Sequence, residues 1–105
     1  MSSIKSISLS EIKSVVSALD PEAKVILYGS RARGDFHDSS DWDILILLNK
    51  KKIQPDDFDK LSWPLYKLGW EYGEQFSVKL YTFSDWEKRS FTPFYKEVSS
   101  EGIVL

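Results

Sequence analysis

Residues 29–48 read GSRARGDFHDSSDWDILILL: a Gly-Ser pair closes one apolar run, an Asp-x-Asp pair heads another, and ten residues separate Ser30 from Asp41. That spacing allows one small site to hold a phosphate and a divalent cation together. The run from Lys24 to Tyr28 is apolar, partly β-branched and closed by Gly29, so it reads as a short buried strand. Gly29 permits a tight backbone path that a Cβ would resist. Ser30 then adds a hydroxyl and a backbone N–H at the start of a helical turn, which makes a corner able to cradle a phosphate. Taken alone, a Gly-Ser pair after a strand is most often a plain turn.

Trp42 to Leu48 reads as a central strand, and side chains two apart on a strand share a face, so Asp41 and Asp43 are expected side by side. Two carboxylates about 4 Å apart repel by roughly 4 kcal/mol at an effective dielectric near 20. Such repulsion raises one pKa or calls for a cation. A hard, oxygen-ligated cation, Mg²⁺ by preference, relieves it and bridges to substrate phosphates. An isolated Asp-x-Asp is ordinary turn and strand-start material. Four fixed positions, each matched at roughly 5–7% usage, coincide by accident in about one chain in a thousand of this length.

Gly29-Ser30, ten residues, then Asp41-x-Asp43 resembles the signature of the DNA polymerase β-like nucleotidyltransferase superfamily. Arg31-Ala32-Arg33-Gly34-Asp35 resembles its small prokaryotic branch, the minimal nucleotidyltransferases, which includes antitoxin domains. The ending Thr92-Pro93-Phe94-Tyr95-Lys96-Glu97-Val98 through Glu101-Gly102-Ile103 is similar to the close of many such stand-alone domains, so the likeness covers most of residues 20–105. The resemblance implies that Gly29 and Ser30 hold the nucleotide's phosphates and that Asp41 and Asp43 are catalytic carboxylates binding Mg²⁺. A third acid on a later strand completes the metal site and helps activate the attacking hydroxyl. The implied reaction is in-line transfer of a nucleoside monophosphate, AMP from ATP, to a protein or small hydroxyl acceptor, with pyrophosphate leaving. Such chemistry needs positioning and charge neutralisation more than covalent help. Arg33 is assigned to a phosphate oxygen or a structural carboxylate pair, although Arg31 and Arg33, beside Asp35 and Asp38, also fit surface ion pairs of little energetic worth. The family often pairs with a small helical HEPN-domain protein in toxin–antitoxin modules, neutralising the toxin and in some cases adding AMP to it.

One segment departs from that pattern. On the third strand, expected from Phe76 to Thr82, the outward-facing residues are Ser77 and Lys79, and a register shift of two restores no acid. Glu71 or Glu74, just before that strand, is the candidate replacement. Lys79 can offer its ammonium to a phosphate or stand as a solvated strand residue. The missing acid motivates an alternative: a catalytically weak binding module that neutralises a HEPN-domain partner by docking. A third possibility is a metabolic or structural α/β domain whose motif is accidental.

At 105 residues the chain is expected to be a single domain, residues 1–105, burying about 60–70% of its unfolded surface. Four Trp, five Tyr and six Phe are expected mostly in its core. With 14 basic and 16 acidic side chains the net charge is −2, which gives no general attraction to nucleic acid. Lys50-Lys51-Lys52 reads as a solubilising strand end, and His37 as a solvated loop residue. Cysteine is absent, so neither disulfides nor thiolate metal sites hold the fold. No apolar run approaches the roughly 18 residues of a membrane span, and Met1-Ser2-Ser3-Ile4-Lys5 lacks a signal-peptide core. A cytoplasmic location is the simplest expectation.

Ser8 or Ser10 is expected to cap a first helix with Leu9, Ile12, Val15, Val16 and Leu19 as its stripe, ending before Asp20-Pro21. Pro55-Asp56-Asp57 opens a second long helix carrying Phe58, Leu61, Leu65, Leu68 and Trp70, with Pro64 as a kink or break. Ser84, three residues before Glu87, resembles a capping box, and Pro93 opens a last helix ending near Gly102. The expected architecture is an α/β (α+β) nucleotidyltransferase fold with a small mixed sheet of about three main strands and helices mainly on one face.

Overall fold

The computed structural model describes residues 7–37 and 39–105. Asp38 and the N-terminal stretch read for a signal peptide therefore lie outside the described residues. The elements run α1 (Leu9–Leu19), β1 (Lys24–Tyr28), α2 (Ser30–Arg33), β2 (Trp42–Leu48), α3 (Asp57–Tyr72), β3 (Phe76–Thr82), α4 (Phe83–Lys88), α5 (Pro93–Glu101) and β4 (Ile103–Val104). The sheet is mixed, in the order β3-β2-β1-β4. β2 runs parallel to β3 and antiparallel to β1, and the short β4 is antiparallel to β1.

β2 is the axis of the fold because it is apolar on both sides. Ile44 to Leu48 are 2% exposed or less, the pattern of a strand covered on both faces. Val25, Leu27, Ile44, Ile46 and Val78 meet Ile12 and Val16 of α1 and Leu61 and Leu65 of α3 on one face. On the other face Ile26, Tyr28, Leu45 and Leu47 meet Trp86 of α4 and Val98 of α5. The two longest helices thus share a face, and the short C-terminal pair covers the opposite one. Each fully buried aliphatic side chain contributes about 1.5–3 kcal/mol through removal from water.

Local chemistry accounts for the helix boundaries. Ser8 closes a capping box on α1: its hydroxyl accepts from Glu11 N, and Glu11 accepts from Ser8 N at 3.0 Å. At α4 the cap is Thr82, not Ser84, because Thr82 Oγ1 accepts from Asp85 N at 3.0 Å and the helix begins two residues earlier than the Ser84 pattern suggests. Thr92 caps α5, with Pro93 at its first turn. α3 continues through Pro64, which leaves the Lys60 carbonyl without its helical donor. Leu61, Ser62, Leu65 and Gly69 are buried on both sides of the proline and anchor both halves of the helix to the core.

The aromatic residues divide more evenly than composition suggested. Trp63 and Trp70 are 52% and 65% exposed, and Phe36, Phe58 and Phe91 are exposed as well. For the two tryptophans the reason is geometric: the buried stripe of α3 runs through residues 61, 62, 65 and 69, which turns 63 and 70 outward, whereas Phe58 shares the stripe's face and is exposed in the helix's first turn. Among the described residues, no helix is long and apolar enough to cross a membrane.

Candidate active site

The antiparallel register sets Tyr28 opposite Asp43, so the end of β1 and the head of β2 meet at one point. Gly29 follows Tyr28 with φ +77°. An added Cβ at Gly29 would overlap Asp43 Oδ2 and lie 3.1 Å from Asp43 Cγ. The backbone corner therefore presses directly against a carboxylate, and only a residue without a side chain fits. Ser30 begins α2, whose first amides have no preceding helical turn to receive them.

Asp43 carries a pKa raised above the ordinary carboxylate value. Partial burial is the largest cause, and the neighbouring Asp41 charge adds to it; Glu97 also raises the value, whereas Lys79 and Arg33 lower it. Asp41 is exposed at the strand entrance. Tyr28 is buried, and desolvation together with the Asp43 and Glu97 charges pushes its phenol up to about 12, so it stays neutral at pH 7. Asp43 is thus a partly buried carboxylate that feels the like charges of Asp41 and Glu97 and the opposite charges of Lys79 and Arg33.

The parallel register places Ser77 opposite Asp43 and Lys79 opposite Leu45, so β3 presents a hydroxyl and an ammonium on this face. The two glutamates considered as replacement acids have other neighbours in this structure. Glu74 Oε2 is engaged by Arg31 Nη2 at 3.0 Å, and Glu71 lies beside Val15, Trp63 and Lys67 on the α3 side. Arg31 is no surface ion pair: its side chain is 7% exposed, it donates twice to Ser40 O, and its guanidinium lies between the rings of Phe36 and Trp42. It fastens the connection between the two motif halves. Arg33 is more open and reaches Asp35 at 3.1 Å, Glu101 at 2.8 Å and Glu97 at 3.7 Å. His37 is exposed, and its Nδ1 bonds Ser39 Oγ at 2.9 Å.

Glu97 and Tyr28 are the residues that sequence reasoning passed over here. Tyr28 carried a signal in its place immediately before Gly29. Glu97 carried none, because its position depends on how α5 folds back across the sheet. Phe94 at the start of α5 packs edge-on against Tyr28, with ring centres 5.3 Å apart, and Lys79 Nζ lies 5.9 Å from the same Phe94 ring. α5 is therefore the roof beside the carboxylates.

A mixed sheet with a glycine corner pressed against Asp43 at the β1/β2 end suits a nucleotidyltransferase-type domain. The nucleotidyltransferase domain family model matches residues 9–104, and the chain belongs to that family. The chain is 34% identical over 99 residues to a protein of Methanocaldococcus jannaschii named as a putative protein adenylyltransferase, covering 90% of this chain and 93% of that one. Among solved structures it is similar to a putative nucleotidyltransferase from Sulfolobus solfataricus, with a TM-score of 0.59 at 23% identity over 90% of this chain and 72% of the other. It is also similar to a mutant of the toxin–antitoxin MntA–HpeT, with a TM-score of 0.62 at 22% identity over 95% of this chain and 72% of that one. The two structural likenesses establish the fold.

Proposed function

We propose that this domain transfers AMP from ATP, with Mg²⁺, to a hydroxyl group of a protein. The observation that carries this reading is the contact between the Gly29 corner and the Asp43 carboxylate, which would bring a triphosphate and a cation into one small space. The similarity to a protein named for protein adenylylation supports a protein acceptor over a small molecule. Gly29 and Ser30 receive phosphate oxygens through backbone N–H and hydroxyl donors, and Arg33 adds a guanidinium on the same side. The acceptor oxygen attacks the α-phosphorus, the bond to the bridging oxygen of pyrophosphate breaks, and the hydroxyl proton passes to solvent or a carboxylate.

The donor set suits a divalent cation completed by substrate. Asp41 and Asp43 supply hard oxygens of the kind such a cation takes. Among the described residues no group of three His, Cys, Asp or Glu side chains stands close enough to hold an ion by itself, so phosphate oxygens and water would fill the remaining positions. When bound, the ion neutralises phosphate charge in the transition state.

Incubation with α-labelled ATP, Mg²⁺ and host lysate tests the reading. A labelled protein band that disappears with the Asp41→Asn/Asp43→Asn double variant is the expected result. Label transfer that survives the double variant would refute it. A second reading, a slow or inactive module that neutralises a HEPN-domain partner by docking, is favoured by Ser77 and Lys79 on the strand where a third acid is expected. Under that reading the double variant neutralises the partner as well as the parent chain does.

A further inference from the structure

We propose that two copies of this chain associate through the exposed face of α3, antiparallel about a two-fold axis at Tyr66. Trp63 of each copy then packs on Trp70 of the other, and Lys60 of each pairs with Glu71 of the other. The surface is not that of an ordinary solvated helix. Trp63 and Trp70 are 52% and 65% exposed, and their rings meet edge-on at 5.3 Å, so they form one continuous ridge instead of two scattered side chains. Half-buried Tyr66 lies between them, about a turn from each. A groove lined by Ser62 and Tyr66 borders Trp63 on one flank, and a groove lined by Val15, Pro64 and Leu68 borders it on the other. A ridge beside grooves is the shape that helix-on-helix packing uses, and Trp and Tyr are the residues that most often anchor interfaces.

The order of rings and charges identifies the occupant. Read backwards through Tyr66, the helix matches itself: Trp63 mirrors Trp70 and Lys60 mirrors Glu71, each to within about one residue, or 1.5 Å of rise. Lys60, Lys67 and Glu71 recur at helical spacing on one flank of the ridge, so a two-fold axis perpendicular to the helix pair turns that flank onto itself. Lys60 and Glu71 are exposed, and among the described residues neither takes part in a salt bridge. Asp59, on the other flank, mirrors Gly73 and meets no like charge. Lys67 meets its own copy near the axis, and Glu71, one turn along the same helix, offsets that repulsion. An unrelated partner places no demand on this symmetry, whereas a second copy requires it.

Sedimentation equilibrium of the full chain, loaded from about 1 to 200 µM, is the test. We expect a dimer with a Kd of about 100 µM or tighter, which Trp63→Ala and Trp70→Ala each weaken about tenfold or more. Lys60→Glu should weaken it about fivefold, and Lys60→Glu/Glu71→Lys should return it to within about threefold of the parent. Phe91→Ala, at a ring 77% exposed outside α3, is the control and should leave the Kd within about twofold. Far-UV circular dichroism and melting confirm that each variant is folded. A chain that stays monomeric over the whole range overturns the proposal, including one whose tryptophans are covered by a different protein. A dimer indifferent to Trp63→Ala and Trp70→Ala uses another surface and overturns it as well. If the double charge variant is as weak as Lys60→Glu alone, the two helices do not meet in this antiparallel register and the arrangement is refuted.

Discussion

Alanine at position 29 meets two obstacles at once: a φ of +77° that L side chains rarely adopt, and a Cβ that collides with the Asp43 carboxylate. Gly29→Ala is expected to lose about 1–3 kcal/mol in urea unfolding and to lose adenylyl transfer with it, because the corner can relax only by moving Asp43. Asp43→Asn should act in the opposite sense on stability. The folded state holds the Asp43 proton more tightly than the unfolded chain does, so its charge costs stability as pH rises past the ordinary value of 3.8, and that cost vanishes below it. The variant should therefore melt higher than the parent at pH 7, with the two curves converging near pH 4, and should transfer no AMP. A lower melting temperature at pH 7 would show that Asp43 is tied into the fold by contacts of its own. Arg31 marks where residue-level reading stops. Its charge and spacing placed it beside acids on a surface, whereas its partners are two rings and a glutamate 43 positions away. Arg31→Lys should cost about 1–3 kcal/mol, since an ammonium cannot bond Ser40 O and Glu74 together while lying flat between rings.

At the scale of the element, chemistry within a few residues was readable, and chemistry that crossed an element was not. The first-helix cap, narrowed to Ser8 or Ser10, the last helix opened by Pro93 and the strand at 76–82 follow from local spacing. The Thr82 cap did not, because a residue ending a strand can also open a helix, and Ser84 offered the same pattern two places later. Lys50, read as part of a solubilising end, instead donates to Asp57 Oδ2 at 2.7 Å, and Gln54 N donates to the same oxygen at 2.6 Å. These two bonds fasten the loop after β2 to the start of α3. They also hold the Asp57 carboxyl below the usual carboxylate range, Lys50 first and Gln54 second. A depressed folded pKa stabilises above the unfolded value of 3.8 and loses its effect as pH falls through the folded one. Asp57→Asn should therefore lower the melting temperature at pH 7 by a degree or a few, and the deficit should shrink in acid below pH 4, as melting curves across that range would show. A deficit independent of pH would assign Asp57 a steric role in starting the helix.

Over the whole molecule, the arrangement that matters most is the return of the last thirteen residues across the sheet, and no local pattern in residues 93–105 announces it. The register of β1 on β2 fixes which side chains face outward, and only then does the second face, Ile26, Tyr28, Leu45 and Leu47, appear as a surface needing cover. α5 and β4 provide that cover. Trp86 meets Phe94 edge-on at 5.5 Å and lies tilted against Tyr95 at 4.8 Å, Val98 is buried, and Ile103 and Val104 pair with Leu27 and Ile26. Gly102 lets this turn approach so closely that an added Cβ would stand 2.8 Å from Ile26 Cγ2. Removing residues 93–105 would expose several apolar side chains worth about 1.5–3 kcal/mol each, against a total stability of about 5–15 kcal/mol for a domain of this size. The shortened chain, ending at Thr92, should therefore lose its cooperative melting transition and bind a hydrophobic dye such as ANS, while the α1/α3 face keeps much of its helical circular dichroism. A sharp melt within a few degrees of the parent would instead make α5 an appendage to a self-sufficient sheet.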